Sequence, residues 1–429
     1  MANQFNSDLG ELLFRQYGEL ANPVSPADTV ASEIDFVPAD KRNGELYVVP
    51  LRFGYENGTT FANSHDTYTL NEDSPADYEQ AKLRGSEMTT VANISYAEMT
   101  SLSPNRGRSS RGYDQAVGVK IINTSDGSVQ KRDMHLMYGP GDTALQSIGT
   151  IAAVGALSGT SYQVSITRAS YIPGFWQEAK GVMCDIANPG PVAANNAATP
   201  AIVTAVDRDN ALVTFSAATW DVAPAVGAEI YFYGSANSAM VGLVGIAENT
   251  GDLFDVDAAI YPQWRAVNYP VGGASLSFDK VSEGLAAVAD NGLSDGILLL
   301  VNPRTWTDLM TDEAALRRRI KDESTARTGY NKLEFEMNVG TVTIKSYKYM
   351  KQGIALAVPT QECMRIGSTD LTFTAPGHPN KYFWTELQQK NGAQIRNYSD
   401  QAVFCENPSH MCLFTGVQNN ADVTPGTPT

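Results

Sequence analysis

The sequence predicts an α+β fold that carries one inserted β-rich module. Runs with alternating apolar and polar residues recur, as in LEFEMNVGTVTIKSYKYM at 333–350, and predict strands. Helical periodicity is confined to a few segments, such as SFDKVSEGLAAVADNG at 277–292. A linker of small residues at 187–200 introduces an all-β patch that ends near residue 236. No internal repeat is visible, so we expect a mixed fold and not a repeat array.

The first 45 residues predict a short helix followed by an extended arm. Asp8 and Glu11 form a capping pair, and apolar residues recur at helical spacing: Leu9, Leu12, Leu13, Tyr17 and Leu20. Residues 21–45 contain Pro, Asp and Ser without periodicity. The acidic start does not match a secretory signal peptide. The longest apolar stretches, such as 151–157, fall short of the ~20 residues of a membrane span.

A long polar segment follows at 46–102. ELYVVPLRF at 45–53 predicts a strand, TTVANISYAEM predicts another near the end, and Ser74 with Pro75 predicts one short helix between them. The middle is rich in Gly, Asn and Asp and cannot build its own core. Two interpretations remain open, a disordered surface loop and a hairpin ordered by packing on a neighbouring chain.

A basic linker at 103–112 contains Arg106, Arg108 and Arg111. The next segment, 113–139, has apolar residues that fit one face of a long helix. Its interior glycines cost about 1 kcal/mol each in a helix, so a strand, a turn and a shorter helix is the competing interpretation. Gly139 and Pro140 end the element in either case.

The rest of the chain predicts strands with two helices. Residues 148–186 form strands, and the inserted module at 187–236 contains AIVTAV, a turn at 207–210, ALVTF and EIYFYG. After the helix at 277–292, ILLLV is a buried strand, and Asn302 caps a helix that starts with Pro303. The last strands lead into a Pro- and Thr-rich tail that we expect to be frayed.

Linear motifs for catalysis are missing or out of context. No phosphate-binding glycine loop, HExxH or EF-hand pattern occurs. GLSDG at 292–296 resembles a nucleophile elbow, but a helix precedes it and a strand follows, which reverses the required order for Ser294. Cys405, His410 and Cys412 give three potential zinc ligands across two strands, whereas a structural site needs four. We therefore expect no catalytic residue, metal or cofactor.

Charge excludes a nucleic-acid reader. The net charge is −16 over 429 residues, and phosphate contacts require clustered Lys and Arg. A basic run, Arg317, Arg318 and Arg319, lies between acidic pairs on a predicted helix. Ion pairs within that helix explain the run, and so does a patch that meets an acidic surface on another subunit. The arginines of the 103–112 linker have the same two explanations.

The order of these segments resembles the major capsid proteins of tailed bacteriophages, which have the Hong Kong 97-type fold. The arm, the polar hairpin and the helix ending in Met137-Tyr138-Gly139 resemble that family's N-terminal arm, extended loop and spine helix. YIPGFWQEAKG, ILLLVNPRTWTDL, MRIGSTDLTF and RNYSDQAVF are similar to further segments of such subunits. The resemblance implies an arm (1–45), an extended loop (46–102), a peripheral domain (103–186), an inserted domain (187–236), an axial domain (237–330), peripheral strands (331–375) and an axial return with the tail (376–429).

The resemblance also implies a function. Family members assemble as hexamers and pentamers into an icosahedral virion shell around double-stranded DNA, inside the host bacterium. A separate scaffolding protein, a portal and a possible decoration protein are the implied partners, with no membrane. Some members crosslink Lys to Asn, but only Lys82 in the loop is a candidate here, so no crosslink is predicted. The alternatives are an encapsulin-type compartment, another virion component and a β-rich enzyme without linear motifs. The contact candidates are Leu9, Leu12, Leu13, Arg106, Arg108, Arg111, Arg317, Arg318 and Arg319.

Overall fold

The structure is a computed structural model. It describes residues 30–38, 42–43, 46–65, 67–96, 110–139, 145–189, 192–193, 199–236, 238–312, 332–375, 384–386 and 390–428. The predicted N-terminal helix and all but one of the contact candidates lie outside these ranges. The exception is Arg111. Its backbone belongs to a helix that the structure describes, but its side chain is not described.

The longest helix confirms the first of the two interpretations for 113–139. This helix, α1, spans Ser110–Met137 and includes both interior glycines. Gly139 follows with a φ of +68°, and a Cβ there would lie 2.4 Å from the carbonyl of Met240. Only glycine fits this combination of positive φ and close backbone contact. No helix within the described ranges is long and apolar enough to cross a membrane.

Two of the other described helices begin at a capping side chain, and one of these caps, Asn302, was predicted from the sequence. Ser277 accepts a hydrogen bond from the amide of Lys280 at the start of its helix. Asn302 accepts one from the amide of Arg304, with Pro303 in the first turn. Both caps satisfy amides that have no partner within the helix. Besides α1, the described α-helices are α2 (Pro173–Trp176) and α3 (Leu243–Glu248), which have no capping side chain, and the capped α4 (Phe278–Asp290) and α5 (Pro303–Thr311).

A five-stranded sheet contains the chain's longest described strand. Its order is β1-β20-β22-β21, and β5 pairs with the other side of β22. Helix α1 packs on β5 and β22. The strands are β1 (Phe36–Pro38), β5 (Ser86–Ser95), β20 (Cys363–Thr372), β21 (Trp384–Glu386) and β22 (Gly392–Cys405).

A small sheet beside it forms the hairpin of the predicted extended loop. Its order is β2-β3-β4, all antiparallel. The described residues between the two long strands contain no helix, so the helix predicted at Ser74 and Pro75 is wrong. The strands are β2 (Arg42–Asn43), β3 (Leu46–Arg52) and β4 (Tyr78–Arg84).

Six antiparallel strands close into a barrel. The pairing runs β10-β11-β7-β6-β12-β8, and β8 pairs back to β10. Fully buried side chains such as Val164, Val213 and Ile230 belong to its core. The predicted inserted module, 187–236, supplies β10 to β12, while the other three strands come from 149–188. The strands, with the short β9, are β6 (Gly149–Val154), β7 (Ser161–Ile166), β8 (Met183–Asn188), β9 (Val192–Ala193), β10 (Ala201–Asp207), β11 (Leu212–Ser216) and β12 (Glu229–Phe232).

A six-stranded mixed sheet, with α4 and α5 packed against it, encloses a second core. Its order is β15-β23-β19-β16-β18-β17. Strands from the predicted segments 237–330, 331–375 and 376–429 all share this sheet. The strands are β15 (Val267–Ala274), β16 (Ile297–Val301), β17 (Lys332–Met337), β18 (Gly340–Ser346), β19 (Ile354–Val358) and β23 (Cys412–Val417). A tight two-stranded turn consists of β13 (Asp252–Leu253) and β14 (Val256–Asp257).

The C-terminal tail packs on the rest of the chain through residue 428, so the prediction of a frayed tail is wrong. The amide of Gly426 donates to the carbonyl of Asn210 in the barrel at 2.7 Å. Asn419 is buried and donates to the hydroxyl of Thr305 on α5 at 3.0 Å. Arg168 donates to the carbonyl of Asn419 at 2.6 Å. The tail is ordered because its polar groups find partners on three different elements.

Candidate inter-subunit surface

The β3–β4 hairpin has a base that is fixed to its own chain. The two strands pair without interruption from Leu46 with Arg84 to Arg52 with Tyr78. Ala81 and Leu83 are fully buried on the inner face of the base. Alternate residues of a strand point to opposite faces, so this inner face joins the main core while the outer face is partly or fully exposed.

Tyr47 links the base to the five-stranded sheet. Its ring is buried, and its hydroxyl donates to the carboxylate of Asp400 on β22 at 3.0 Å. The same carboxylate accepts from the hydroxyl of Ser368 on β20 at 2.5 Å. A buried carboxylate needs such donors to offset its lost hydration. The hairpin and two strands of the sheet therefore share one polar contact.

The turn between β13 and β14 holds the opposite side of the base. The amide of Lys82 donates to the carbonyl of Phe254 at 2.9 Å, and its ammonium group lies 2.8 Å from the carboxylate of Asp255. Hydrogen bonding to Asp255 raises the pKa of Lys82, so the lysine stays charged. Both the amide and the ammonium group of Lys82 therefore bind to residues of their own chain.

Aromatic contacts mark the point where the base ends. Phe53 stacks on Tyr261 with ring centroids 4.2 Å apart and meets the edge of Trp264 at 5.9 Å. The hydroxyl of Tyr261 donates to the carboxylates of Asp77 at 2.9 Å and Glu79 at 3.3 Å. The hydrogen bond to Asp77 is the main cause that raises the pKa of Tyr261 to about 12. Beyond Phe53 and Asp77 the hairpin leaves the globule.

The tip of the hairpin, residues 54–77, is ordered by its own hydrogen bonds. The amide of Asn57 donates to the carbonyl of Ser74 at 3.0 Å. The amide of Asn71 donates to the hydroxyl of Thr60 at 2.8 Å, and its side chain donates to the carbonyl of Thr59 at 3.0 Å. These contacts favour a hairpin over a disordered loop, and the packing of that hairpin on a neighbouring chain stays a prediction.

Large apolar side chains on the tip have almost no cover from their own chain. Phe61 is 93% exposed, Tyr55 76% and Leu70 73%, and Tyr68 is also exposed. Scattered apolar residues on a surface are ordinary, but a cluster of them on a projecting hairpin is typical of a protein contact. Burying one such side chain in a partner contributes about 1.5–3 kcal/mol. The tip is therefore the best candidate surface for binding.

The tip is acidic as well as apolar. Its sequence contains the acids Glu56, Asp66, Glu72, Asp73 and Asp77 but no Lys or Arg. A surface of this kind favours a partner with a basic patch, because opposite charges steer association and suppress wrong partners.

The described part of the predicted arm packs on its own chain. Val30, Ala31 and Ile34 are buried. The ammonium group of Lys345 lies 2.8 Å from the carboxylate of Glu33, and Arg365 donates to the carbonyl of Ile34 at 3.0 Å. This differs from an arm held only by other chains, because residues 30–38 cross α1 and run parallel to β20.

A buried polar network anchors this segment to α1. Asp133 accepts from the amide of Ala31 at 3.1 Å and from the hydroxyl of Tyr347. Burial raises the pKa of Asp133. Nearby, Arg132 contacts Asp370 at 2.8 Å, which joins α1 to β20. The helix is therefore tied to both large sheets at its C-terminal half.

The three residues that the sequence offered as potential zinc ligands belong to the core and to a hydrogen-bond network. Cys405 and Cys412 are buried thiols, and Cys405 lies opposite Cys363 in the sheet register. His410 contacts Glu362 through Nδ1 at 2.8 Å and the carbonyl of Asn291 through Nε2 at 3.1 Å. Within the described ranges, no group of three or more His, Cys, Asp or Glu could hold a metal ion. Ser294 lies in the loop between α4 and β16, with its hydroxyl directed at Asp295.

Sequence reasoning missed the tip residues Phe61, Tyr68 and Leu70. A signal was present, since large apolar residues inside a Gly-, Asn- and Asp-rich segment have no local core to enter. The contact candidates that the sequence did single out lie outside the described residues or, for Arg111, have a side chain outside them. They stay predictions.

Comparisons with known proteins gave structural likenesses. A scan of protein-family models gave no match, and a search of curated protein sequences gave none. The capsid of cyanophage A-1(L) matches at 10% identity and a TM-score of 0.48, over 93% of this chain and 97% of that one. The capsid of a native GTA particle matches at 8% and 0.43, over 93% and 92%. An encapsulin of Synechococcus elongatus matches at 9% and 0.37, over 91% and 86%.

Proposed function

We propose that this chain is the structural subunit of a phage capsid, which assembles with many copies of itself into a closed icosahedral shell. One observation carries the proposal, namely a hairpin that is fixed at its base and exposes aromatic side chains at its tip. The exposed side chains of such a tip become buried when they contact another copy of the chain. Modest energy at each contact is sufficient, because a shell multiplies many weak interfaces.

The arrangement of the sheets supports an assignment of each sheet to one domain of the subunit. The five-stranded sheet with α1 serves as the peripheral domain, the six-stranded sheet as the axial domain, and the barrel as the inserted domain. This assignment moves 332–358 and 149–186 out of the peripheral segments that the sequence resemblance implied. The arm and the hairpin reach adjacent subunits. The acidic tip finds a basic counterpart in Arg106, Arg108 and Arg111 or in Arg317, Arg318 and Arg319 of a neighbour, and Leu9, Leu12 and Leu13 supply an apolar contact.

The proposed setting is the virion. Hexamers and pentamers form a shell in the host bacterium, guided by a separate scaffolding protein and interrupted by a portal, with a possible decoration protein outside. The shell encloses double-stranded DNA without reading its sequence, because the net charge of −16 disfavours adhesion of the polymer to the wall. The role is structural and not enzymatic.

The test compares assembly of three proteins, each expressed alone and with the scaffolding protein. The first is the wild type, and the second carries Phe61→Ser, Tyr68→Ser and Leu70→Ser. The third is a matched control with exposed apolar residues of the barrel region replaced: Leu157→Ser, Val222→Ser and Val226→Ser. Sedimentation velocity and negative-stain microscopy should show megadalton shells for the wild type and the control. The tip variant should remain as folded small species. A wild type that stays monomeric under all conditions would overturn the proposal.

A further inference from the structure

The outer edge of β5 is an unprotected strand edge. The strand pairs with β22 over ten consecutive residue pairs with no register shift. The amide of Tyr96, just after the strand, donates to the carbonyl of Asn391 at 3.3 Å, so even-numbered residues face β22. Antiparallel strands alternate the direction of their backbone groups. The N–H and C=O groups that point to the other side therefore belong to Glu87, Thr89, Val91 and Asn93.

Other edges in the described part of the chain carry protective features. In the six-stranded sheet, β15 contains Pro270 and a register shift, and β17 carries Lys332, Glu334 and Glu336. The barrel closes on itself. The opposite edge of the five-stranded sheet is short, since β1 and β21 each have three residues. Proteins blunt exposed edges with such features because an open edge pairs with any extended chain.

By contrast, β5 has ten residues, no Pro, no Lys and a single charge, Glu87. Its outward-facing residues are exposed, and Val91 is an exposed β-branched residue. No strand pairs with this edge among the residues that the structure describes. An edge of this length without protection is expected only where a partner covers it.

We propose that the outer edge of β5 accepts an extended segment of a second copy of this chain by strand addition. This inference rests on the proposed function. Two features favour a second copy. First, two copies that each have a net charge of −16 repel each other. Because β5 has only one charged residue, a contact at this strand meets less of that repulsion. Second, β5 continues directly from the base of the hairpin through Gly85, so the edge is continuous with the surface that we propose contacts a neighbouring copy.

Hydrogen exchange tests the pairing without a mutation. In assembled shells of the chain alone, the peptide covering 86–95 should exchange more slowly than in unassembled subunits, by about tenfold or more at the outward amides. Equal exchange in the two forms would overturn the proposal. Protection that appears only after another protein is added would assign the edge to that protein and overturn it as well.

A pair of variants separates backbone pairing from side-chain contact. Val91→Pro removes one outward N–H but none of the bonds to β22, whereas Val91→Thr keeps the N–H. Shell yield should fall at least about tenfold for Val91→Pro, because the loss recurs at every interface, and should be unchanged for Val91→Thr. Normal shells from a folded Val91→Pro would contradict strand addition and leave the proposed function intact. A wild type that never assembles would instead remove the proposed function itself, and this inference with it.

Discussion

The carboxylate of Asp255 lies 2.8 Å from the ammonium group of Lys82 and fixes the base of the hairpin. Asp255 and its neighbour Phe254 are the central residues of a two-residue turn, and both have positive φ angles, 65° and 58°. Non-glycine residues adopt such angles only where the surrounding structure holds them. The carbonyl of Phe254 binds the amide of Lys82, so the turn and the hairpin hold each other.

Replacing Asp255 with Asn tests this contact. Asn tolerates a positive φ, so the turn should persist while the ion pair is lost. We expect faster hydrogen exchange across β4, an unchanged melting temperature and a lower yield of shells. The matched control is Asp209→Asn, which removes the exposed pair with Arg208 on the barrel. Equal exchange of β4 in both variants would show that the ion pair does not hold the base.

The buried carboxylate of Asp133 should matter more for stability. Asp133→Ala leaves the amide of Ala31 and the hydroxyl of Tyr347 without their acceptor. Each unsatisfied buried group costs about 1–3 kcal/mol, so we expect a loss of about 3 kcal/mol in urea unfolding. Asp126→Ala, at an exposed position of the same helix, should cost less than about 0.5 kcal/mol. Similar losses for the two variants would contradict the role of Asp133.

Local signals were sufficient to predict the elements whose contacts lie close in sequence. Asn302 caps its helix as predicted, because capping depends on residues two or three positions away. The hairpin of β17 and β18 also followed from alternation and a short turn. The long helix was one of two open interpretations, since interior glycines weaken the helical signal.

The pairing of strands that lie far apart in the sequence could not be predicted from these local signals. Ala201 pairs with Cys184 to close the barrel, but nothing in either segment indicates that they are neighbours. The tail was predicted to fray because it is Pro- and Thr-rich and lies at the end of the chain, yet Asn419 is buried and donates to Thr305, over a hundred residues away. The candidate surface depends on exposure, and exposure of Phe61 follows only once the path of the hairpin is known.

The tail gives a further prediction. Removing residues 419–429 deletes the contacts of Asn419 with Thr305 and of Gly426 with Asn210. These contacts join the barrel to the six-stranded sheet, so their loss should loosen the barrel without unfolding it. Hydrogen exchange should accelerate in the turn at 207–210 and near α5, while the interior strands of the barrel stay protected. Unchanged exchange at both places would mean that the tail only rests on the surface.

His410 should make stability depend on pH. Its hydrogen bond to Glu362 raises the pKa of His410 above the ordinary value of 6.5. The folded state then binds a proton more tightly than the unfolded state. The resulting stability is fully present below pH 6.5 and is lost as pH rises through the folded pKa. The free energy of unfolding in urea should therefore decrease more between about pH 6 and about pH 8.5 for the wild type than for His410→Gln. An equal decrease in the free energy of unfolding for the two proteins would contradict this role of His410.

The most direct test of the shell proposal is the chemical accessibility of position 61. The four native cysteines are all buried, so Phe61→Cys provides a single exposed thiol for a maleimide dye. We expect rapid labelling in unassembled subunits and labelling slowed by about tenfold or more in intact shells, because a neighbouring copy covers the tip. Equally fast labelling in subunits and shells would contradict the central claim that the hairpin tip is an inter-subunit contact.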